Sequence, residues 1–87
     1  MTSNVPAWDP DAEKARPGYL FQRMADHIAA RIAAGEFPPD AMLPKEYDLV
    51  AEYQVSIDTV RRATAELRDR GLVITLPSKG TYVVRST

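Results

Sequence analysis

Gln54 and Val55 are all that separates two stretches of helical periodicity, and a connection that short forces the second helix to turn sharply against the first. The earlier stretch runs from about Lys45 to Tyr53, with Leu49, Val50 and Tyr53 on one side. Glu46 and Asp48 stand in its opening turn, where carboxylates suit the positive end of the helix dipole. The later one runs from Ile57 to about Arg70: Ser56 caps it, Val60, Ala63, Thr64 and Leu67 form an apolar stripe, and Gly71 stops it. Asp58, Arg61, Arg62, Ala65, Arg68 and Asp69 fall on its flank or far side, which is therefore polar and mostly basic.

Upstream, Leu20, Phe21, Met24, Ala25, Ile28 and Ile32 recur at helical steps and predict a helix over Tyr19 to Ala34. Gly35 ends it, and Pro38-Pro39 makes the following segment a turn or an extended connection. Downstream, Leu72 to Leu76 and Thr81 to Arg85 read as two strands joined by Pro77-Ser78-Lys79-Gly80, a hairpin. The fold class expected is mainly α with a small β-hairpin, a winged helix-turn-helix of three helices plus wing over residues 18–87. Residues 1–17, with three prolines and no apolar period, are expected to form a flexible N-terminal arm. Trp8 within it is expected to be solvated or packed against its own chain.

Eighty-seven residues suffice for one domain and a single modest core. Cysteine is absent and histidine occurs once, as His27, which excludes disulfides, thiolate chemistry and histidine metal clusters. No serine stands in a nucleophile-elbow frame and no phosphate-cradling glycine loop is present, so neither enzymatic activity nor a metal or cofactor is expected. His27 is read as a surface or satisfied histidine, and Glu46, Asp48 and Glu52 as solvated carboxylates. No apolar run approaches the roughly 20 residues of a membrane span, and the N-terminus lacks a signal-peptide pattern, so the expected compartment is the cytoplasm, in association with the nucleoid.

The formal charge of −1 hides a gradient. Five Lys/Arg face nine Asp/Glu up to Tyr53, whereas six face three from Gln54 onward. Positive charge thus accompanies the last helix and the hairpin. Such a helix fits a DNA major groove, its first turn can present side chains to base edges, and a basic hairpin beside it can reach phosphates. On that pattern Arg61 and Arg62 are the leading contact residues, Lys45 and Lys79 phosphate contacts, and Ser56 and Thr59 hydroxyl donors. Arg62 is also spaced to pair with Asp58 or Glu66. Asp58 suits the helix dipole, or accepts from a cytosine.

The stretch from Tyr19 to Val84 resembles the N-terminal winged helix-turn-helix domain of the GntR family of bacterial transcriptional regulators. The resemblance is carried by Gly35-Glu36-Phe37-Pro38-Pro39, Leu43-Pro44-Lys45-Glu46, Val55 to Ala63, Leu67, Gly71-Leu72-Val73 and Lys79-Gly80-Thr81. It implies a domain that binds a short, often palindromic double-stranded operator as a homodimer. Family members typically add a C-terminal effector-binding or oligomerisation domain, which these residues do not include, so no effector ligand is expected to bind within them.

Thr59, Arg61 and the Ser56 hydroxyl match family contact positions, and Gly80 matches the wing glycine that lets backbone approach DNA. Tyr47 and Ile57 stand where members commonly carry arginine, and Asp58 replaces a frequent threonine. Two lost cations imply lower affinity and a shallower salt dependence. In their place Tyr47 is expected to meet a phosphate and Ile57 a thymine methyl. These same departures motivate a rival expectation, a winged-helix protein-interaction module with weak or no DNA binding.

Overall fold

The computed structural model describes residues 5–85. In order these form α1 (Pro10–Ala15), α2 (Leu20–Ala33), α3 (Glu46–Tyr53), α4 (Ile57–Asp69), β1 (Val73–Leu76) and β2 (Gly80–Val83). The three expected helices and the hairpin are present, with boundaries within one or two residues of those expected. Met24, Ala25 and Ile28 of α2, Leu49 and Tyr53 of α3, and Val60, Ala63 and Leu67 of α4 meet in one core, closed below by Val73 and Val83 of the hairpin. Thr64, the polar member of the α4 stripe, is half-buried and donates its hydroxyl to the Val60 carbonyl, 2.9 Å away. That bond satisfies a group the core would otherwise strand.

Between α3 and α4 the chain turns through Gln54, which takes the left-handed conformation at φ 53° while its N–H closes α3 on the Val50 carbonyl. Val55 is buried in the turn, and Ser56 begins α4 by accepting from the Thr59 N–H at 3.1 Å. One buried apolar residue and one cap therefore fix the angle between the two helices.

The hairpin pairs Val73 with Val83 and Leu76 with Gly80, antiparallel. Alternation sends Val73 and Val83 inward, while Ile74 lies 49% exposed on the other face. A pairing that the sequence pattern did not reveal covers the outer edge of β2: Leu43 N–H donates to Thr81 O at 2.8 Å, and Val83 N–H to Ala41 O at 2.9 Å. Ala41–Leu43 thus acts as a third, very short strand, which protects the edge and holds the start of α3 beside the hairpin.

The segment expected to be an arm contains α1, which the sequence reading did not foresee. Asp9 caps it, and Arg23 of α2 fastens it by hydrogen bonds to the Glu13 carboxylate (3.1 Å) and carbonyl (2.6 Å) and to the Pro17 carbonyl (2.9 Å). Trp8 packs edge-on against His27 and Tyr53 and donates Nε1–H to the Tyr53 carbonyl at 2.9 Å. Trp8 and the Arg23 hydrogen bonds thus attach this segment to the helical core, while most of its residues stay exposed. Residues 1–4 of the expected arm lie outside the described residues.

Candidate nucleic-acid interface

Because Val60, Ala63 and Leu67 are wholly buried, the helical repeat turns the remaining α4 side chains outward. Arg61 and Arg62 are exposed, with 58% and 63% of their side-chain surface accessible. The hairpin stands beside this surface rather than across it. An open cleft of about 440 Å³ runs between α4, the start of α3 and the hairpin. Lys45, Tyr47, Arg61, Lys79, Gly80 and Thr81 all line it, so six of the sequence-predicted residues share one site. Ser56, Ile57, Asp58, Thr59 and Arg62 do not; they sit at the α4 N-terminus and along its outer side.

Each cation has a distinct environment. Arg61 Nε lies 3.3 Å from Glu46 Oε2, a bridge from α4 back to the first turn of α3. Arg62 pairs with Asp58 at 2.9 Å, one of the two partners its spacing allowed. Exposed pairs of this kind are worth about 0–1 kcal/mol, so a phosphate or a base edge can displace either carboxylate. Lys45 and Lys79 are exposed and make no ion pair among the described residues. Arg70 is held elsewhere, by Glu66 (2.9 Å) and Asp26 (2.8 Å). Hydrogen bonds to Glu66 and Asp26 raise its pKa further above the ordinary arginine value.

The hydroxyls differ as well. Ser56 Oγ accepts from the Thr59 N–H and donates to Thr59 Oγ1 at 3.0 Å, so its hydrogen is already committed to the cap. Thr59 keeps its own hydroxyl hydrogen. Thr81 Oγ1 lies 3.0 Å from Thr75 Oγ1, in a cross-strand pair facing α4. Gly80 has φ 140°, and a Cβ there would lie 2.9 Å from Met42 Sδ. Its glycine thus has a conformational reason inside the protein, the positive φ, apart from any approach of backbone to DNA. Tyr47 is 72% exposed at the cleft rim, and Ile57 is half-buried in the first turn of α4.

Arg68 is a cleft residue the sequence reading did not single out. It follows Arg61 by two helical turns and so shares its flank, a periodicity signal present in the sequence. Four cations and one carboxylate, Glu46, therefore line the cleft of a chain whose net charge is −1.

Outside the cleft, Arg31 Nη1 donates to Tyr53 Oη at 2.9 Å, and Tyr53 Oη lies 2.7 Å from His27 Nδ1. His27 Nε2 lies 2.8 Å from the Pro6 carbonyl, which can only accept, so Nε2 donates there while Nδ1 faces the Tyr53 hydroxyl. His27 is satisfied, as expected. Burial lowers the Arg31 pKa, but hydrogen bonds to Glu36 and Tyr53 and the charge of Glu52 outweigh it, and the net shift is upward. This network ties the N-terminal segment to the core and stands apart from the cleft.

A scan of family models matches residues 20–83 to the bacterial regulatory proteins of the gntR family. The chain belongs to that family. The arabinose metabolism transcriptional repressor of Geobacillus stearothermophilus is 34% identical over 73 residues, covering 84% of this chain and 20% of the repressor. Among solved structures, YtrA from Sulfolobus acidocaldarius, described as a GntR-family transcription factor, superposes with a TM-score of 0.76 at 26% identity, covering 85% of this chain and 78% of that one. The AraR DNA-binding domain in complex with operator ORR3 gives 0.70 at 30% identity, over 74% and 77% of the two chains. This GntR-family chain spans 20% to 29% of the length of the curated relatives it matches. A family of transcription regulators accords with the expected DNA-binding class and not with an enzyme or the rival protein-interaction module.

Proposed function

We propose that this chain is the sequence-specific DNA-binding module of a transcriptional regulator, inserting the N-terminal half of α4 into the major groove of a double-stranded operator with the hairpin as wing. The observation that carries this reading is the outward placement of Arg61 beside an open, net positive cleft. Ile57, Thr59, Arg61 and Arg62 face base edges; Lys45, Tyr47, Lys79, Gly80 and Thr81 face the backbone. Ser56 acts chiefly by capping the helix that presents them, and Asp58 by orienting Arg62. Two copies occupy an inverted repeat, since a helix-turn-helix pair reads half-sites one helical turn apart. Its place is the cytoplasm, on the nucleoid, and no effector is assigned to these residues.

Selection from random duplexes followed by sequencing tests this directly. Recovery of an inverted repeat is expected, and Arg61→Ala is expected to lower affinity for it by about 1–3 kcal/mol, with relaxed preference at one base pair per half-site. Failure to enrich any sequence overturns the proposal.

A further inference from the structure

Eight arginines lie within the described residues, and seven of them meet a carboxylate: Arg16 and Arg23 at Glu13, Arg31 at Glu36 and Glu52, Arg61 at Glu46, Arg62 at Asp58, Arg70 at Asp26 and Glu66, and Arg85 at Asp40. Arg68 is the exception among the described residues. Its Nη1 instead donates to Thr75 Oγ1 at 2.9 Å, and Thr75 Oγ1 lies 3.0 Å from Thr81 Oγ1. A hydroxyl pair contributed by both wing strands thus holds the guanidinium without neutralising it.

A guanidinium has five N–H donors in a planar fork, and a single threonine contact leaves most of them for a ligand. The residue is exposed, lines the cleft, and shares it with Lys45 and Lys79, neither of which has an ion-pair partner among the described residues. Three unneutralised cations around one groove match a phosphate-bearing strand. Arg68 lies about 10 Å along α4 from Arg61, toward the wing and away from the helix end assigned to base edges.

Resting on the DNA-binding reading above, we propose that Arg68 is a backbone-binding residue of this chain, clamping a phosphate of the DNA strand that passes between α4 and the hairpin, with Thr75 as its positioning residue. It supplies a cation to the cleft whose rim carries the uncharged Tyr47. Phosphate contacts position a protein and release counterions without reading sequence. Arg68 therefore sets affinity and salt dependence, and Arg61 sets preference.

The test is equilibrium binding of the full chain to labelled random-sequence duplex DNA, and to a duplex enriched by selection, across a series of salt concentrations. Arg68→Gln is expected to reduce the slope of log affinity against log salt by about 0.9 per bound chain, and to weaken both duplexes alike by about fivefold near 0.15 M salt. Arg68→Lys should keep the slope. Thr75→Val should also keep it while weakening binding, because the charge remains but its orientation is lost. If the unaltered chain binds both duplexes and Arg68→Gln changes neither slope nor affinity, the clamp is refuted and the DNA-binding reading survives. A slope lost equally in Arg68→Gln and Arg68→Lys also refutes it, as that pattern reports damage to the fold. Should the unaltered chain bind neither duplex, both proposals fall.

Discussion

Arg61 reaches across the interhelical turn to Glu46, its Nε 3.3 Å from the carboxylate oxygen Oε2. The side chain proposed to read a base is thus held by a carboxylate that DNA must displace. Both groups are about half exposed, so water and salt screen the pair and its contribution to stability is small.

Glu46→Gln is therefore expected to leave folding nearly unchanged and to tighten duplex binding. Loss of one exposed pair worth about 0.6 kcal/mol corresponds to about threefold in affinity, and removing a negative charge near phosphate adds in the same direction. Fluorescence anisotropy of a labelled duplex at fixed salt measures the change. Weaker binding in the variant would assign Glu46 a supporting role rather than a competing one.

Ser56 is a capping residue first. Ser56→Ala removes the acceptor for the Thr59 N–H and should cost about 1 kcal/mol of unfolding free energy, whereas Ser56→Gly should cost only a few tenths. Urea denaturation followed by circular dichroism separates the two variants. Equal losses would contradict the capping role.

Tyr53 makes the fold sensitive to alkali. Burial raises its pKa above the ordinary value of 10.0, against the lowering effect of the hydrogen bond from Arg31. The folded state therefore binds this proton more tightly than the unfolded chain, so the stability it contributes is fully present below pH 10 and is lost as pH rises through the folded pKa. Tyr53→Phe should lower stability at neutral pH by about 1–2 kcal/mol through the lost hydrogen bonds, yet remove this part of the alkaline decline. Trp8, the one tryptophan, packs on Tyr53, so its emission follows the transition. Parallel alkaline declines in the two proteins would exclude Tyr53 as the titrating group.

The three longer helices and the hairpin were legible because each rests on local signals: a period, a cap, a stop or a turn. α1 was missed although Asp9 caps it and Pro10 opens it, because six residues give no period and Arg23, from another helix, holds it in place. The Ala41–Leu43 pairing escaped for a related reason, its partners lying about 40 residues further along. Among the cationic residues, the Arg62–Asp58 pair followed from i, i+4 spacing. Arg61 with Glu46 did not, because fifteen residues and the angle at Gln54 intervene. The turn at Gly71 and the hairpin pairing bring Arg68 to Thr75.

In the function proposed, duplex DNA meets the outward side of α4 and the adjoining hairpin. Backbone amide resonances of the full chain, followed by NMR as an enriched duplex is added, test it residue by residue. The largest shifts are expected at Ile57 to Arg62 and at Lys79 to Thr81, exceeding those at Trp8 and His27, which line a separate pocket. Shifts centred on Trp8 and His27, with α4 unaffected, would contradict it.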